Sequence, residues 1–174
     1  MRYLLLLLIL LCGTFSFAQK KAIDPFIRPL PVPHQAVNDF GRFLTPEEKT
    51  SLELELREYN IRTGNAIAFI SLDSLTDPKT KKQYTIEKTA NLYFNKWGLG
   101  DSIKNNGVLL MMSRNPRAVR IEVGTGLEPV LTNEICRQII EGRLVPNFKK
   151  GAFYQGIKEA VNAIEQNLDN SQAR

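Results

Sequence analysis

Apolar positions along the chain change their period from one segment to the next, and each change marks an element. Leu52, Leu56 and Tyr59 recur at i, i+4 and i+7, the spacing of one helix face. Just ahead of them, Thr45 can cap a helix, Pro46 suits its first position and Glu48 completes a capping box, while Gly64 ends it. The run Asn65–Leu72 is apolar on both of its faces, as expected of a central strand buried on both sides. Ile86, Ala90, Tyr93 or Phe94, and Trp97 give a second helical face over residues 85–97, stopped by Gly98. Val108–Met112 is again uniformly apolar, whereas Val119, Ile121 and Val123 alternate with Arg120 and Glu122, the texture of a strand with one wetter face. Residues 132–144 and 153–168 read as two more helices, the first interrupted near Pro146 and the second preceded by a corner at Gly151.

Strand, helix, strand is the βαβ pattern, which makes the strands at 65–72 and 108–112 parallel. The short Asn115-Pro116 link makes the strand at 119–123 an antiparallel partner of the second. The expected fold class is therefore α/β with a mixed sheet. Its topology carries a constraint: the end of the third strand at Gly124 lies beside the start of the second at Gly107. Loops 98–106 and 124–128 become neighbours, and they hold Asp101, Asn105, Asn106, Thr125 and Glu128, with Glu122 close by on the strand.

The ends of the chain read differently. Residues 1–18 have the form of a secretory signal peptide: Arg2, the apolar run Leu4–Leu11, and small residues before Gln19. That run is far shorter than the ~20 residues a spanning helix needs, and no second such run follows, so no transmembrane segment is expected in the mature chain. Residues 19–36 form a Pro-rich leader with Pro25, Pro29, Pro31 and Pro33, which favours extended backbone. It contains His34, the only histidine. Residues 37–170 remain as a single domain, long enough to bury a core.

Charge and chemistry narrow the function classes. The net charge of +5 is spread among acidic neighbours, which speaks against nucleic acid as a partner. The basic cluster Lys79–Lys82 reads as a solvated loop. Beyond the signal only Cys136 is left, placed next to Ile135 and Ile139 and expected as a buried structural thiol. Zinc is poorly served by one cysteine and one histidine. Gly124-Thr125-Gly126 lacks the Lys-Ser/Thr of a phosphate loop, and no GxSxG elbow occurs. What the paired loops do offer is oxygen: carboxylates and amides on flexible backbone, the donors hard cations prefer. Ordinary turn chemistry, with Asn-Gly and Gly-Thr-Gly supplying positive φ, accounts for the same residues from spacing alone.

At these residues the chain resembles the TPM domain family. The likeness rests on Val37-Asn38-Asp39-Phe40, Leu44-Thr45-Pro46-Glu47-Glu48, Thr63-Gly64, Trp97-Gly98-Leu99-Gly100, Asn105-Asn106-Gly107-Val108-Leu109-Leu110 and Arg120-Ile121-Glu122-Val123-Gly124-Thr125-Gly126-Leu127-Glu128, in that order, and spans about residues 37–168. The resemblance implies a three-layer α/β/α sandwich, an exported (periplasmic or extracellular) location, divalent-cation binding in some members, and a family label of phosphatase. It brings Asp39 to a position linked to the site. The ligand candidates are thus Asp101, Asn106, Glu128, Asp39, Glu122 and Asn105, with Ca²⁺ expected ahead of Mg²⁺. The expected role is support of folding, repair or assembly of envelope proteins, with an envelope or membrane protein as partner. A metal-dependent phosphatase on the same loops is the alternative. Thr125 and Asn133 depart from the family, which often has an aromatic residue and an acid there; the loop is expected to bind a cation differently for that reason.

Overall fold

The computed structural model describes residues 35–77 and 80–172. The expected signal sequence and His34 lie outside them. In chain order the elements are β1 (Val37–Asp39), α1 (Pro46–Thr63), β2 (Ala66–Ser74), α2 (Ile86–Trp97), β3 (Gly107–Asn115), β4 (Ala118–Val123), α3 (Asn133–Ile139), α4 (Val145–Lys149) and α5 (Phe153–Gln172). The sheet has the order β1-β2-β3-β4. β1 and β3 both run parallel to β2, and β4 runs antiparallel to β3, with Val108 opposite Val123.

Helix starts follow the local chemistry. Thr45 and Glu48 form the reciprocal capping box of α1, with Pro46 behind the cap and Gly64 closing the end at φ 75°. Thr85 and Thr132 cap α2 and α3 without the reciprocal half of the box, accepting from the backbone N–H groups of Lys88 and Ile135. Pro146 does not break the chain into separate helices. Residues 140–144 widen into a π turn, in which the Val145 N–H donates five residues back to the Ile140 carbonyl, and α4 resumes with Pro146 in its first turn, where a missing N–H is harmless.

Because β2 and β3 alternate, each supplies both faces of the sheet. Phe69, Leu110 and Met112 pack with Leu52 and Leu56 of α1 and with Ile157, Val161 and Ile164 of α5. Ala68, Ile70, Leu109 and Met111 pack on the opposite side with Ile86, Ala90 and Tyr93 of α2. This is the α/β/α sandwich. Each fully buried aliphatic or aromatic side chain contributes about 1.5–3 kcal/mol of transfer free energy, so the two clusters dominate the stability. The crossovers through α1 and α2 advance in the same direction across the sheet but pass over opposite faces. They therefore have opposite hands, and one departs from the usual right-handed rule.

β1 is a strand that the periodicity does not disclose. Three residues containing Asn and Asp are too few for a period, and the pairing is held from elsewhere. The carboxylate of Glu53 on α1 accepts the backbone N–H groups of Ala36 (3.0 Å) and Val37 (2.7 Å). Among the described residues, no helix is long and apolar enough to cross a membrane.

Candidate cation site at the paired loops

Strand direction brings loops 98–106 and 124–128 together, as the topology requires. Gly124 N–H donates to the Gly107 carbonyl at 2.8 Å and Gly126 N–H to the Asn105 carbonyl at 3.1 Å. The approach is close enough to demand glycine: a Cβ on Gly124 would collide with the Asn105 carbonyl oxygen, and one on Gly126 with that of Lys104. Asn105 itself sits at φ 49°, a left-handed conformation that Asn tolerates better than most residues.

Within loop 98–106, Asp101 closes its own turn. One carboxylate oxygen accepts the backbone N–H groups of Ile103 (2.9 Å) and Lys104 (2.8 Å). The amide of Lys104, then that of Ile103, hold its pKa below the ordinary carboxylate value. It is exposed, as are Asn105 and Glu128. These three side chains are the donors available from the two loops.

Asn106 has a different job. Only 5% exposed, its amide oxygen accepts the Asp101 N–H at 2.8 Å, and its nitrogen donates to Gly64 O (2.9 Å) and to Asn65 Oδ1 (3.2 Å). It ties loop 98–106 to the end of α1 and so positions Asp101; its side chain is spent on the fold. Glu122 accepts from Arg120 at 3.0 Å and from Asn91 of α2 at 3.0 Å, which makes it a part of the α2 face. It also lines, with Glu128, Thr132 and Asn133, a cavity of about 370 Å³ beside β4. Thr132 and Asn133 join the site by geometry; the signal for Thr132 in the sequence is its place as the cap of α3, four residues beyond Glu128.

Asp39 stands apart. It is paired with Ser71, which is level with Met112, five residues up β3 from Gly107 and so about 17 Å along the strand. Its two oxygens accept the N–H groups of Phe43 (3.0 Å) and Leu44 (2.9 Å), and the Ser71 hydroxyl donates to it. Ser71 in turn accepts from Gly41 N–H, and Arg114 reaches over from β3 to donate to the Gly41 carbonyl at 2.7 Å while stacking on Phe43. Asp39 therefore shapes the β1–α1 turn and does not meet Asp101 or Glu128.

The donor chemistry at the paired loops is that of a hard cation: two carboxylates, an amide and backbone carbonyls. Among the described residues, no three His, Cys, Asp or Glu side chains converge. Cys136 is no alternative centre. It is buried, its Sγ donates toward the Leu131 carbonyl, and burial pushes its thiol up to about 11.

Comparison with known proteins places this architecture. The model of the TPM domain matches residues 37–167. Among solved structures, the N-terminal domain of a protein from P. gingivalis superposes with a TM-score of 0.69 at 30% identity, covering 79% of this chain and 83% of that one. The BA42 protein of the psychrophilic bacterium Bizionia argentinensis gives a TM-score of 0.60 at 19% identity over 74% of this chain and 83% of its own. The N-terminal domain of a Corynebacterium glutamicum protein gives 0.54 at 12% identity, over 76% and 79%; these last two speak to the fold alone. The comparison with curated proteins finds no match. With the match spanning nearly the whole described chain and a 30% identical relative covered over most of its length, the chain belongs to the TPM domain family.

Proposed function

We propose that this chain is an exported TPM domain that binds a divalent cation, Ca²⁺ ahead of Mg²⁺, on loops 98–106 and 124–128, and that it supports folding, repair or assembly of envelope proteins. The observation that carries the reading is the meeting of the two loops through the Gly126–Asn105 hydrogen bond, which sets exposed Asp101, Asn105 and Glu128 on adjoining backbone. Asp101 is held ionised by two backbone amides, and Asn106 fixes the turn that presents it. The cation, when bound, would neutralise the acidic pair and cross-link the loops. Irregular oxygen ligation and the absence of a His or Cys donor favour Ca²⁺ over metals that prefer nitrogen or sulfur.

Calorimetric titration with Ca²⁺ and with Mg²⁺ tests it. Saturable heats with a Kd on the order of 10⁻⁴–10⁻³ M, the range of extracellular modules, are expected for Ca²⁺. Asp101→Ala and Glu128→Ala should each weaken binding at least about tenfold, equivalent to about 1.4 kcal/mol. Heats equal to dilution into buffer for the unsubstituted protein would end the cation reading.

The cavity beside Glu122 and Glu128 gives a second reading some footing, because it leaves room for a substrate next to an acidic pair. That reading is a metal-dependent phosphatase in which a cation-held water is the nucleophile. Hydrolysis of a chromogenic phosphate monoester with and without chelator examines it. Turnover indifferent to chelator and to both substitutions would remove these loops from any hydrolysis.

A further inference from the structure

The single tryptophan of the chain stands on the wall of a cleft that the cation reading does not use. This cleft of about 380 Å³ opens along β2 below β1, between α1, which contributes Arg57 and Ile61, and the segment 97–100 at the end of α2. In a parallel ladder, alternate residues turn their N–H and C=O to opposite neighbours. Phe69 N–H donates to the Ala36 carbonyl at 2.7 Å on the β1 side, and Ala66 N–H to the Asn106 carbonyl at 3.1 Å on the β3 side. Ile67 therefore turns both of its backbone groups toward the cleft. The chain entering β1 does not take them up, because it bends at Ala36, whose N–H goes to Glu53. Ile67 is only 3% exposed, and a buried backbone pair without a partner among the described residues is complementary to another stretch of backbone.

The shape and charge of the cleft say which stretch. β2 begins at Ala66 and Ala36 closes off Phe69, so the open edge is one residue long and stopped at its upper end. That suits the end of a chain better than a strand running through. Arg57 is the only charged residue of the lining among the described residues. It lies one helical turn, about 5.4 Å, below Glu53 on the same face of α1, and Glu53 holds Ala36 and Val37, the latter level with Phe69. Ile67 precedes Phe69 by two residues, about 6.6 Å, which sets Arg57 level with Ile67. The buried indole N–H of Trp97, on the other wall, has no hydrogen-bond partner among the described residues. A guanidinium and N–H donors with no carboxylate beside them suit an anion, while Ile61, 81% exposed, Ala66, Trp97 and Leu99 suit an apolar side chain.

We propose that this cleft captures the C-terminal residue of a partner polypeptide, an apolar residue whose backbone meets Ile67, whose carboxylate lies beside Arg57 and whose side chain lies between Ile61 and Trp97. The proposal is independent of the cation. Titrating the full chain with N-acetylated pentapeptides that end in Ala, Leu or Phe, followed by the fluorescence of Trp97, tests it. The peptide ending in Leu should give a saturable change and bind at least about tenfold more tightly as the free acid than as the carboxamide, the margin of a charge-assisted contact. Arg57→Gln should abolish that preference, and a chelator should leave it intact. Hydrogen exchange followed by NMR should find the Ile67 amide slowed at least about tenfold further when the peptide is added. No saturable change with any of the peptides, equal affinity for acid and carboxamide, or a preference that survives Arg57→Gln would overturn the proposal. An Ile67 amide already protected in the free protein and unmoved by peptide would overturn it too, by assigning the cleft to the chain's own residues.

Discussion

Replacing Glu165 by glutamine should stabilise this protein above neutral pH and leave it unchanged in mild acid. Glu165 lies on α5 at the seam with α1, half-buried, and one of its carboxylate oxygens has no hydrogen-bond partner among the described residues. Burial, then the charge of Glu55 across the seam and of Asp169 one turn along, push its pKa up to about 7, against the opposing pull of Arg62 and Lys158. Those cations are already engaged, Lys158 with Glu55 at 2.9 Å and Arg62 with Asp169 at 3.1 Å. A carboxyl whose folded value lies above its unfolded value binds more protons in the native state, so stability falls as pH rises from about 4.5 to about 7 and stays reduced above. The full penalty from such a displacement would be about 3 kcal/mol, and contact with water reduces this to about 1–2 kcal/mol. Glutamine keeps the shape and removes the charge. Urea unfolding of both forms at pH 8 and pH 4 should give Glu165→Gln an advantage of about 1–2 kcal/mol at pH 8, or about 3–6 °C in Tm, and almost none at pH 4, below the unfolded carboxyl's own value. An equal difference at both pH values, or no gain at pH 8, would refute the account of the seam.

Other consequences are simpler to check. Thr45→Ala removes the acceptor for Glu48 N–H and half of the capping box, and should cost about 1 kcal/mol in chemical denaturation. Gly126→Ala forces a methyl group against the Lys104 carbonyl; loops 98–106 and 124–128 should separate, with a loss of about 2 kcal/mol and, on the cation reading, of most Ca²⁺ heat in calorimetry. Maleimide labelling at pH 8, mapped by mass spectrometry, should find Cys136 at least about 100-fold slower than a free thiol in the folded protein and ordinary once unfolded, because its thiolate is scarce and buried.

The legible parts of the fold were those governed by a period or a cap. α1, α2, β2, β3 and β4 each repeat an apolar spacing or announce their ends with Thr and Gly, and the adjacency of Gly107 and Gly124 follows from strand direction alone. β1 was not legible because its anchor, Glu53, sits sixteen residues on and looks like one more exposed acid of an amphipathic helix. The site was legible as a pair of loops but not as a set of roles. Nothing local distinguishes Asn105, exposed, from Asn106, whose amide makes one contact within its own loop and two that reach back 41 and 42 residues along the chain. Asp39 shows the same limit: an acid after a short strand carries no mark that both of its oxygens will be taken by the next turn. The widening at residues 140–144 resolved what Pro146 left open, since a helix can change its hydrogen-bond spacing instead of ending.

The opposite-handed crossovers have a consequence for where this domain can be used. In open α/β sheets the ligand crevice forms at the carboxyl ends of two neighbouring strands whose connections leave toward opposite faces, which here means β1 and β2. That place is already inhabited: the chain leaving β1 folds over it, with Gly41 seated on Ser71, Asp39 clasping the turn and Arg114 pinning it from β3. The domain has plugged the customary doorway with its own backbone. What stays open to solvent chemistry is the reverse side of the sheet, where β3 begins and β4 ends.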